Sequence, residues 1–412
     1  MTLVHFKNCA VLDTVAGVLL PGHNVVVEGE TIREVSERPV KSARATAIDL
    51  KGKTLMPGLI DAHVHAMAVE VNLAVLPSLP VTLLAHQAGA ILEGMLRRGF
   101  TAIRDAGGAD FGLAQAVEQG LIAGPRMFIS GQALSQIGGH GDLRARTASS
   151  FETCACCQPG SVLDRIADGV SEVRKAARDE LRKGAAQIKI MASGGVASPT
   201  DPVWNLQYSE SEIRAIVEEA AAWRTYVMAH AYTAEAIHRS ISFGVRSIEH
   251  GNLIDGETAR HVAAHDAFVV PTLVTYEAAE REGASLGMPA VSLAKLKDVR
   301  QAGLASLEHL RDAGVRMGFG SDLLGAMHVH QSREFSIRAA VLRPAEIIRS
   351  ATATNAELLQ MSGKLGVVAP GALADLVVVD GNPLKKLSLL EGQGAHLTAI
   401  IKGGRFFKNE LR

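Results

Sequence analysis

The chain has 412 residues, a formal net charge of −1 and 47% hydrophobic residues. This length exceeds the roughly 250–300 residues at which single cores stop growing, so two or more lobes are expected. The balanced charge excludes the basic surface of a nucleic-acid-binding protein. Four cysteines exclude a disulfide scaffold, and the cluster Cys154, Cys156 and Cys157 predicts a loop with free thiols. We recognise no signal peptide and no apolar run of bilayer length, and therefore expect a cytoplasmic protein without membrane contact.

Short strands separated by turns are predicted at both ends of the chain. The segments with this pattern are Val18–Leu20, Asn24–Glu28, Thr31–Val35, Ala374–Asp380 and Ala399–Lys402. The Pro21-Gly22 pair is predicted to end the first of these strands. Because both ends share this pattern, we predict that residues 1–57 and 362–412 together form one small β-sandwich domain.

The middle of the chain, residues 58–361, alternates between apolar strands and amphipathic helices. The predicted strands are Leu59–His65, Phe100–Arg104, Arg126–Ser130, Gln187–Ala192, Tyr226–Tyr232, Ser247–His250, Phe268–Leu273 and Arg316–Ser321. The helical stretches include Val162–Lys183, Ser209–Trp223 and Ala294–Ala313. Eight strands separated by helices predict an α/β fold, a (β/α)8 or TIM barrel.

A doubly wound open sheet is the structural alternative for this middle region. That fold would place a glycine-rich dinucleotide fingerprint directly after the first strand. Here Gly58 precedes the first strand instead. The barrel is therefore favoured.

Two histidines, His63 and His65, stand at the end of the first barrel strand. An extended segment points alternate side chains to one face, so these two imidazoles converge. Neutral imidazole is among the commonest metal ligands, and two of them supply half of a tetrahedral shell. Surface histidines also pair by chance, but the buried strand before this pair favours a metal site.

Further polar residues fall at or near other strand ends, where barrel enzymes place their active sites. They are Lys189, His230, His250 and Asp322. A single strand-end histidine is usually structural, and Asp322 can equally cap a helix. Lys189 is harder to explain structurally, because burying an unpaired ammonium among apolar residues is costly. Together these residues predict one polar site at the mouth of the barrel.

With these residues in this order, the chain resembles the metal-dependent amidohydrolase superfamily over essentially its whole length. The segments that carry the resemblance are Pro57–His65, Gly138–Gly141, Lys189–Gly195, His230–Tyr232, Ile248–Gly251, Gly320–Asp322 and Gly371–Asp380. Within the superfamily, the chain is most similar to the binuclear-zinc group of prolidase-like dipeptidases, arginine or lysine carboxypeptidases and ochratoxin-type amidases.

The resemblance implies a site with two divalent metal ions, expected to be zinc. His63, His65 and Asp322 would hold one ion, and His230 and His250 the other. Lys189 would be N6-carboxylated and bridge the two ions, which resolves the cost of burying its charge. A hydroxide between the metals would be the nucleophile. Asp322 would take its proton and pass it to the leaving amine.

Other histidines and one tyrosine are candidates for contact with substrate. His140, in a glycine-rich loop, and Tyr232, on the same strand face as His230, can each donate to a developing oxyanion or to a substrate group. A structural role explains each of them equally well. His328 and His330 form a second His-x-His pair after Asp322, which is predicted to line the substrate site or lie at the surface.

The predicted activity is metal-dependent hydrolysis of the amide or peptide bond of a dipeptide or an N-acyl amino acid. Hydrolysis of a cyclic amide or an imidazolone is the enzymatic alternative, since the same residues can open rings. A metal-free, amidohydrolase-like scaffold is the alternative from another class. We expect a small-molecule or dipeptide substrate and no nucleic-acid partner. The resemblance also implies a homo-oligomer, for which it suggests an octamer.

Overall fold

The computed structural model describes residues 3–40, 45–144, 162–198 and 200–411. The predicted loop with Cys154, Cys156 and Cys157 lies outside these residues. Within them, no helix is both long and apolar enough to cross a membrane.

The strands of the described residues fall into a sheet of the two chain ends and a barrel between them. In chain order they are β1 (Leu3–Asp13), β2 (Val18–Glu28), β3 (Thr31–Ser36), β4 (Thr46–Asp49), β5 (Thr54–Pro57), β6 (Leu59–Val64), β7 (Phe100–Asp105), β8 (Arg126–Phe128), β9 (Ala133–Ser135), β10 (Asp164–Ile166), β11 (Ile188–Met191), β12 (Val227–Thr233), β13 (Ser247–Leu253), β14 (Phe268–Val270), β15 (Arg316–Met317), β16 (Leu376–Val379), β17 (Leu397–Lys402) and β18 (Arg405–Asn409).

The α-helices of the described residues lie almost entirely between the barrel strands and directly after them. They are α1 (Val81–Arg97), α2 (Phe111–Glu118), α3 (Gly169–Arg182), α4 (Glu210–Ala222), α5 (Ala234–Ser242), α6 (Gly256–Ala264), α7 (Leu273–Glu282), α8 (Ala290–Asp312), α9 (Arg333–Arg338), α10 (Pro344–Arg349) and α11 (Asn355–Leu358). Short 3-10 helices span Leu73–Ser78, Gly325–His330, Leu387–Leu390 and Gly392–Gly394, and a π-helix spans Ser350–Thr354.

The two ends of the chain meet in one eight-stranded sheet, in which β5 pairs with both β1 and β16. Strand β16 is buried on both faces, and its side chains alternate between two apolar cores. Val377 and Val379 pack into the core shared with the barrel. Leu376 and Val378 pack into the core of the sheet itself. The predicted sheet of strands from both termini is confirmed, and its division from the barrel at residues 57 and 362 stays a prediction.

One detail of this sheet differs from the sequence prediction. Pro21-Gly22 does not end a strand, because β2 runs continuously from Val18 to Glu28. The pairing of β2 with β1 shifts register around His23, which lies opposite Cys9. A proline fits at such an irregularity because it need not donate a ladder hydrogen bond there.

Eight strands form the predicted barrel: β6, β7, β8, β11, β12, β13, β14 and β15. They pair in parallel within two runs, β6 to β8 and β11 to β15. Backbone hydrogen bonds join the two runs on both sides, from Ala186 to Ile129 (2.7 Å) and from Ala62 to Phe319 (2.8 Å). The α/β barrel is therefore confirmed, and its carboxyl strand ends meet at one mouth.

The helix predictions hold for two of the three stretches. Helices α4 and α8 lie where Ser209–Trp223 and Ala294–Ala313 were predicted to be helical. The prediction for Val162–Lys183 is wrong at its start, where β10 pairs in parallel with β9. The chain reaches α3 only at Gly169, whose φ of +77° suits the turn before a helix.

Candidate metal centre

A cavity at the mouth of the barrel is lined by side chains from five strands and the loops after them. The predicted metal ligands among them are His63, His65, Lys189, His230, His250 and Asp322. His140 and Tyr232 line the same cavity. The structure therefore brings together eight of the ten site residues predicted from the sequence.

The two histidines of β6 and the loop after it are each held by an acceptor at Nδ1. Nδ1 of His63 lies 2.7 Å from a carboxylate oxygen of Glu249. Nδ1 of His65 lies 2.9 Å from the carbonyl oxygen of Gly107. Since both partners can only accept, both Nδ1 atoms carry a proton. This leaves the lone pair of each neutral ring at Nε2, which is the tautomer that a metal ligand needs.

Three acceptor atoms face one another in front of these rings. Oδ1 of Asp322 lies 3.4 Å from Nε2 of His63 and 3.4 Å from Nε2 of His65. Among the described residues, Nε2 of His63 is buried and has no hydrogen-bond partner. Ligands at about 2.0–2.2 Å from a tetrahedral zinc ion lie roughly 3.3–3.5 Å from one another. The donor set and its spacing therefore fit a divalent metal ion.

The charges around this triangle also favour a cation. Burial and the Lys189 ammonium oppose a charge on His63, yet the Asp322 and Glu249 carboxylates outweigh them and raise its pKa. Burial lowers the pKa of His65 to about 4 and keeps that ring neutral. Burial likewise opposes ionisation of Asp322, but His63 and His65 hold its pKa below the usual range. A carboxylate between two imidazole lone pairs is stable only with positive charge among them.

Strands β12 and β13 contribute His230 and His250. Both rings are buried, and burial keeps them neutral. Burial lowers the pKa of each well below its usual value. Nε2 of His230 lies 3.2 Å from the carbonyl oxygen of Gly194, and Nδ1 of His250 lies 2.8 Å from Oγ1 of Thr272. His250 also joins His63 and Asp322 in a group whose ligand atoms all lie within 4.8 Å of one another.

Two of these residues have a backbone conformation that ordinary side chains avoid. The φ angle is +74° at His250 and +52° at Asp322. Non-glycine residues rarely occupy this region, and those that do concentrate at functional sites. The chain thus turns abruptly within β13 and in the loop after β15, and both side chains line the cavity.

Lys189 lies in β11 and is 1% exposed. Burial lowers the pKa of its amine to about 8, although Glu249 and Asp322 partly compensate. It lines the cavity beside the histidines, as predicted.

His140 is fixed by a loop that follows β11. Its Nδ1 lies 2.8 Å from Oγ of Ser198, and its ring stacks on that of His230 with centroids 4.2 Å apart. A Cβ atom on Gly195 would lie 2.1 Å from the imidazole, so only glycine fits there. Asp201, buried behind Ser198, accepts a hydrogen bond from the backbone N–H of Gly195.

A lysine from a distant helix fastens this loop. Nζ of Lys295, on α8, donates to the carbonyl oxygens of Gly195 (3.0 Å), Ser198 (2.8 Å) and Asp201. One ammonium thereby satisfies three carbonyl oxygens that the loop leaves unpaired in its own backbone. We name residues 194–198 and 200–201 the His140 loop, because they determine where the His140 ring lies.

Tyr232 is 3% exposed, and burial raises the pKa of its phenol. Its hydroxyl accepts a hydrogen bond from the hydroxyl of Tyr276 at 2.9 Å. Tyr276 lies on α7 and lines the same cavity. The Tyr232 hydroxyl is thus a neutral donor whose own proton is free for a further acceptor.

The structure does not bring His328 and His330 to the cavity. His328 is buried, and burial lowers its pKa to about 3. Nε2 of His330 instead forms an ion pair with Glu282 at 2.9 Å, and Arg281 lies beside it. Their role in substrate binding stays a prediction that this geometry does not support.

Sequence reasoning missed several residues that hold the site in place. Glu249 and Arg104 form a fully buried ion pair (2.8 Å) behind His63. Each is a charged residue within an apolar strand. Lys189 was identified by the same pattern, so the same argument could have found them. Asp201, Lys295 and Tyr276 lie on a loop and two helices, and no local pattern marks them.

Apart from Asp164, Thr275 and Tyr276, the rest of the cavity wall is apolar. It includes Leu73, Leu143, Leu163, Met191, Val196, Ala197, Ala279, Met288, Leu296 and Leu324. Most of these side chains come from loops and helices above the strand ends. The cavity therefore has one polar half, built on strands, and one apolar half.

A model of the amidohydrolase family matches residues 54–405. This match includes every strand of the barrel and all the predicted metal ligands. The chain belongs to the amidohydrolase family. As a member of this family of hydrolases, which generally bind metal ions, it is an enzyme that acts on amide bonds. The alternative of a non-enzymatic scaffold has no support.

Three relatives of this amidohydrolase are informative. An ochratoxinase from Aspergillus niger is 32% identical over 414 residues, covering 95% of this chain and 86% of the relative. A crystal structure of an amidohydrolase is 57% identical with a TM-score of 0.98 and covers 100% of both chains. A crystal structure of a prolidase complexed with N-methylphosphonate-L-proline is 56% identical with a TM-score of 0.96, covering 99% of this chain and 100% of that one.

Proposed function

We propose that this amidohydrolase uses two divalent metal ions, expected to be zinc, to cleave an amide bond next to a free α-carboxylate. Dipeptides ending in proline are the first candidate substrates, and other N-acyl amino acids, including ochratoxin-type amides, are the second. The observation that carries the proposal is the triangle of facing acceptor atoms of His63, His65 and Asp322 in the cavity at the barrel mouth.

The similarity to a prolidase supports the substrate class. That enzyme is 56% identical to this chain and was crystallised with N-methylphosphonate-L-proline. A phosphonate is tetrahedral and anionic, as is the centre that forms when water adds to an amide carbonyl. Compounds of this shape bind hydrolases tightly because the sites are complementary to the transition state. A proline amide is therefore the substrate that we expect a similar cavity to accept.

His63, His65 and Asp322 would hold one metal ion, and His230 and His250 the other. When bound, the two ions supply Lewis acidity, which makes a coordinated water acidic and polarises the substrate carbonyl. Glu249 and Gly107 act indirectly, since they fix the tautomers of two of these histidines.

Lys189 would bridge the ions after carboxylation of its amine. The neutral amine attacks the carbon of carbon dioxide and loses one proton, which yields a carbamate whose single negative charge is shared by two oxygens. Because burial lowers the pKa of Lys189 to about 8, roughly a tenth of the amine is neutral at pH 7. The modification also replaces a buried cation, which would repel two dications, by an anion.

Asp322 would move the proton of the reaction. Its side chain keeps 20% of its surface exposed, against 1% for His63 and 2% for His250. Since His63 and His65 hold its pKa low despite burial, it is ionised before the reaction begins. It can accept a proton from the attacking water and give it to the leaving nitrogen.

His140 and Tyr232 would bind the carboxylate or the developing oxyanion. Each is held in the cavity by contacts on its far side, His140 by Ser198 and Tyr232 by Tyr276. A hydrogen bond to a charged group contributes about 1.5–3 kcal/mol, which corresponds to roughly 10- to 100-fold in kcat/KM.

The experiment compares Ala-Pro and Leu-Pro with their C-terminal amides at equal concentration. We expect kcat/KM to be at least about tenfold lower for the amides, and Tyr232→Phe or His140→Ala to reduce that ratio. Equal kcat/KM values for the dipeptides and their amides would show that the enzyme does not recognise the α-carboxylate. Faster turnover of cyclic amides than of any acyclic compound would instead establish the cyclic-amide alternative.

A further inference from the structure

A chain of four buried side chains connects a predicted metal ligand to a hydroxyl that faces the substrate cavity. Nδ1 of His250 lies 2.8 Å from Oγ1 of Thr272. Thr272 lies four residues before Tyr276, and its side chain opposes the rise in the pKa of the Tyr276 phenol, as a donor to the phenol oxygen would. The Tyr276 hydroxyl lies 2.9 Å from the Tyr232 hydroxyl. All four residues are buried, with 0% to 3% of their surface exposed.

The fold places the two middle members of this chain together. Thr272 directly precedes α7, and Tyr276 lies in its first turn. Residues four apart on a helix share a face, so both side chains point from α7 towards the barrel mouth. Their partners His250 and Tyr232 come from the ends of β13 and β12, which are neighbours in the barrel.

The protons in this chain can run in only one direction. Each hydroxyl has a single proton to donate. Because Tyr276 donates to Tyr232, a hydrogen bond between Thr272 and Tyr276 requires Thr272 to donate, and Thr272 must then accept from Nδ1 of His250. The lone pair of His250 then lies at Nε2, and the proton of Tyr232 remains for an acceptor in the cavity. Aligned hydrogen bonds of this kind also polarise and strengthen one another.

We propose that Thr272 donates a hydrogen bond to Tyr276 and that both are positioning residues, which act through His250 at one end and Tyr232 at the other. They fix the His250 tautomer that leaves Nε2 free for a metal ion. They also orient the Tyr232 hydroxyl so that its proton points at the substrate. The orientation of the Tyr232 hydroxyl towards the substrate rests on the proposed function, in which Tyr232 donates to substrate. The order of the hydrogen bonds does not depend on that function.

The most direct readout is the carbon NMR spectrum of the protein labelled at the tyrosine Cζ atom. The chain has four tyrosines, Tyr208, Tyr226, Tyr232 and Tyr276, so four signals can be assigned by single Phe variants. The Cζ shift responds to hydrogen bonds at the phenol oxygen. Thr272→Val, which keeps the shape but removes the hydroxyl, should shift the signals of Tyr276 and then Tyr232. Thr272→Ser, which keeps the hydroxyl, should leave both in place.

A double-mutant cycle tests the effect on catalysis. Tyr232→Phe should lower kcat/KM by about 10- to 100-fold, as expected for a hydrogen bond to a charged group. Tyr276→Phe should lower it by about 2- to 13-fold, as expected for a neutral hydrogen bond. In the Tyr232→Phe background, Tyr276→Phe should cost less than about twofold, because Tyr276 acts only through Tyr232.

Tyr208→Phe is the matched control, because the Tyr208 hydroxyl donates to the backbone carbonyl of Ala167 and does not line the cavity. It should leave kcat/KM and the other three signals unchanged. Equal losses from Tyr276→Phe with and without Tyr232, or a Tyr232 signal unmoved by Thr272→Val, would overturn the proposal. The NMR result does not depend on whether a proline dipeptide is the substrate. A failure of the proposed function would appear in the kinetic comparison of dipeptides and their amides, and not in the NMR spectrum.

Discussion

The two halves of the cavity are held in place by different means. The metal-binding half consists of side chains at strand ends, whose partners, such as Glu249 and Gly107, lie in or directly after neighbouring strands of the same barrel. The other half consists of loop and helix residues, in which Lys295 fastens the His140 loop through three carbonyl oxygens. The first half is rigid because the strand ladder fixes it, and the second can vary without disturbing the barrel. Changes in the first should therefore remove metal, and changes in the second should alter substrate use.

The largest effect is expected for Lys189→Ala in the metal-binding half. Loss of the bridging group should release metal and lower kcat by more than about 100-fold, beyond what loss of an outer contact causes. Added short-chain carboxylate should restore part of both. The matched control is Lys175→Ala, which removes an exposed lysine of α3. Wild-type metal content and turnover in Lys189→Ala would contradict the bridging role.

Glu249→Gln should come next, because it breaks a buried ion pair and weakens the hold on His63. Arg104 then keeps a buried charge without its carboxylate, which typically costs about 3–5 kcal/mol in the free energy of unfolding. Metal affinity should fall by about 10- to 100-fold. Denaturant unfolding and metal titration measure the two effects.

Glu93→Gln provides the comparison for this variant, because Glu93 pairs with Arg97 at the surface. Exposed pairs of this kind contribute about 0.3–0.5 kcal/mol. If Glu249→Gln changed unfolding as little as Glu93→Gln does, the ion pair behind His63 would not hold the site together.

Lys295→Met tests the loop-built half of the cavity. Releasing the His140 loop should raise KM and lower kcat/KM by about 10- to 100-fold, the range for a hydrogen bond to a charged group. Metal content should not change, since the predicted ligands do not lie on this loop. Lys297→Met, two residues along α8 and exposed, is the control. Loss of metal in Lys295→Met would show that the two halves are not independent.

The smallest effect is expected for His330→Ala. His330 pairs with Glu282 outside the cavity, and surface pairs contribute little. Steady-state kinetics should show kcat/KM within about twofold of the wild type. A loss above tenfold would restore the role in substrate binding that the sequence suggested for His330.

The same contrast explains what the sequence could predict. His63, His65, Lys189, His230, His250 and Asp322 stand at or in apolar strands, where a polar residue is conspicuous and the strand period fixes its direction. The barrel could be predicted from the sequence for the same reason. Lys295 meets the His140 loop about 100 residues away in the chain, and Tyr276 is one polar residue on an otherwise ordinary helix. Such contacts arise only from tertiary packing, and no local periodicity in the sequence predicts them.

One wrong prediction and one that stays open have the same origin. The start of Val162–Lys183 was predicted as helix, but pairing with β9 makes it a strand, because tertiary contacts override local propensity. His328-Val329-His330 repeats the spacing of the β6 pair, but it lies in a 3-10 helix instead of a strand. With three residues per turn, positions i and i+2 point to different sides. The homo-oligomer rests on family resemblance alone and stays a prediction.

Metal content tests the central claim most directly. Elemental analysis of the protein purified without chelators should find two divalent ions per chain, mostly zinc. Removal of these ions by a chelator should abolish amide hydrolysis, and added zinc should restore it. Full hydrolytic activity in protein that contains only trace metal would contradict the account.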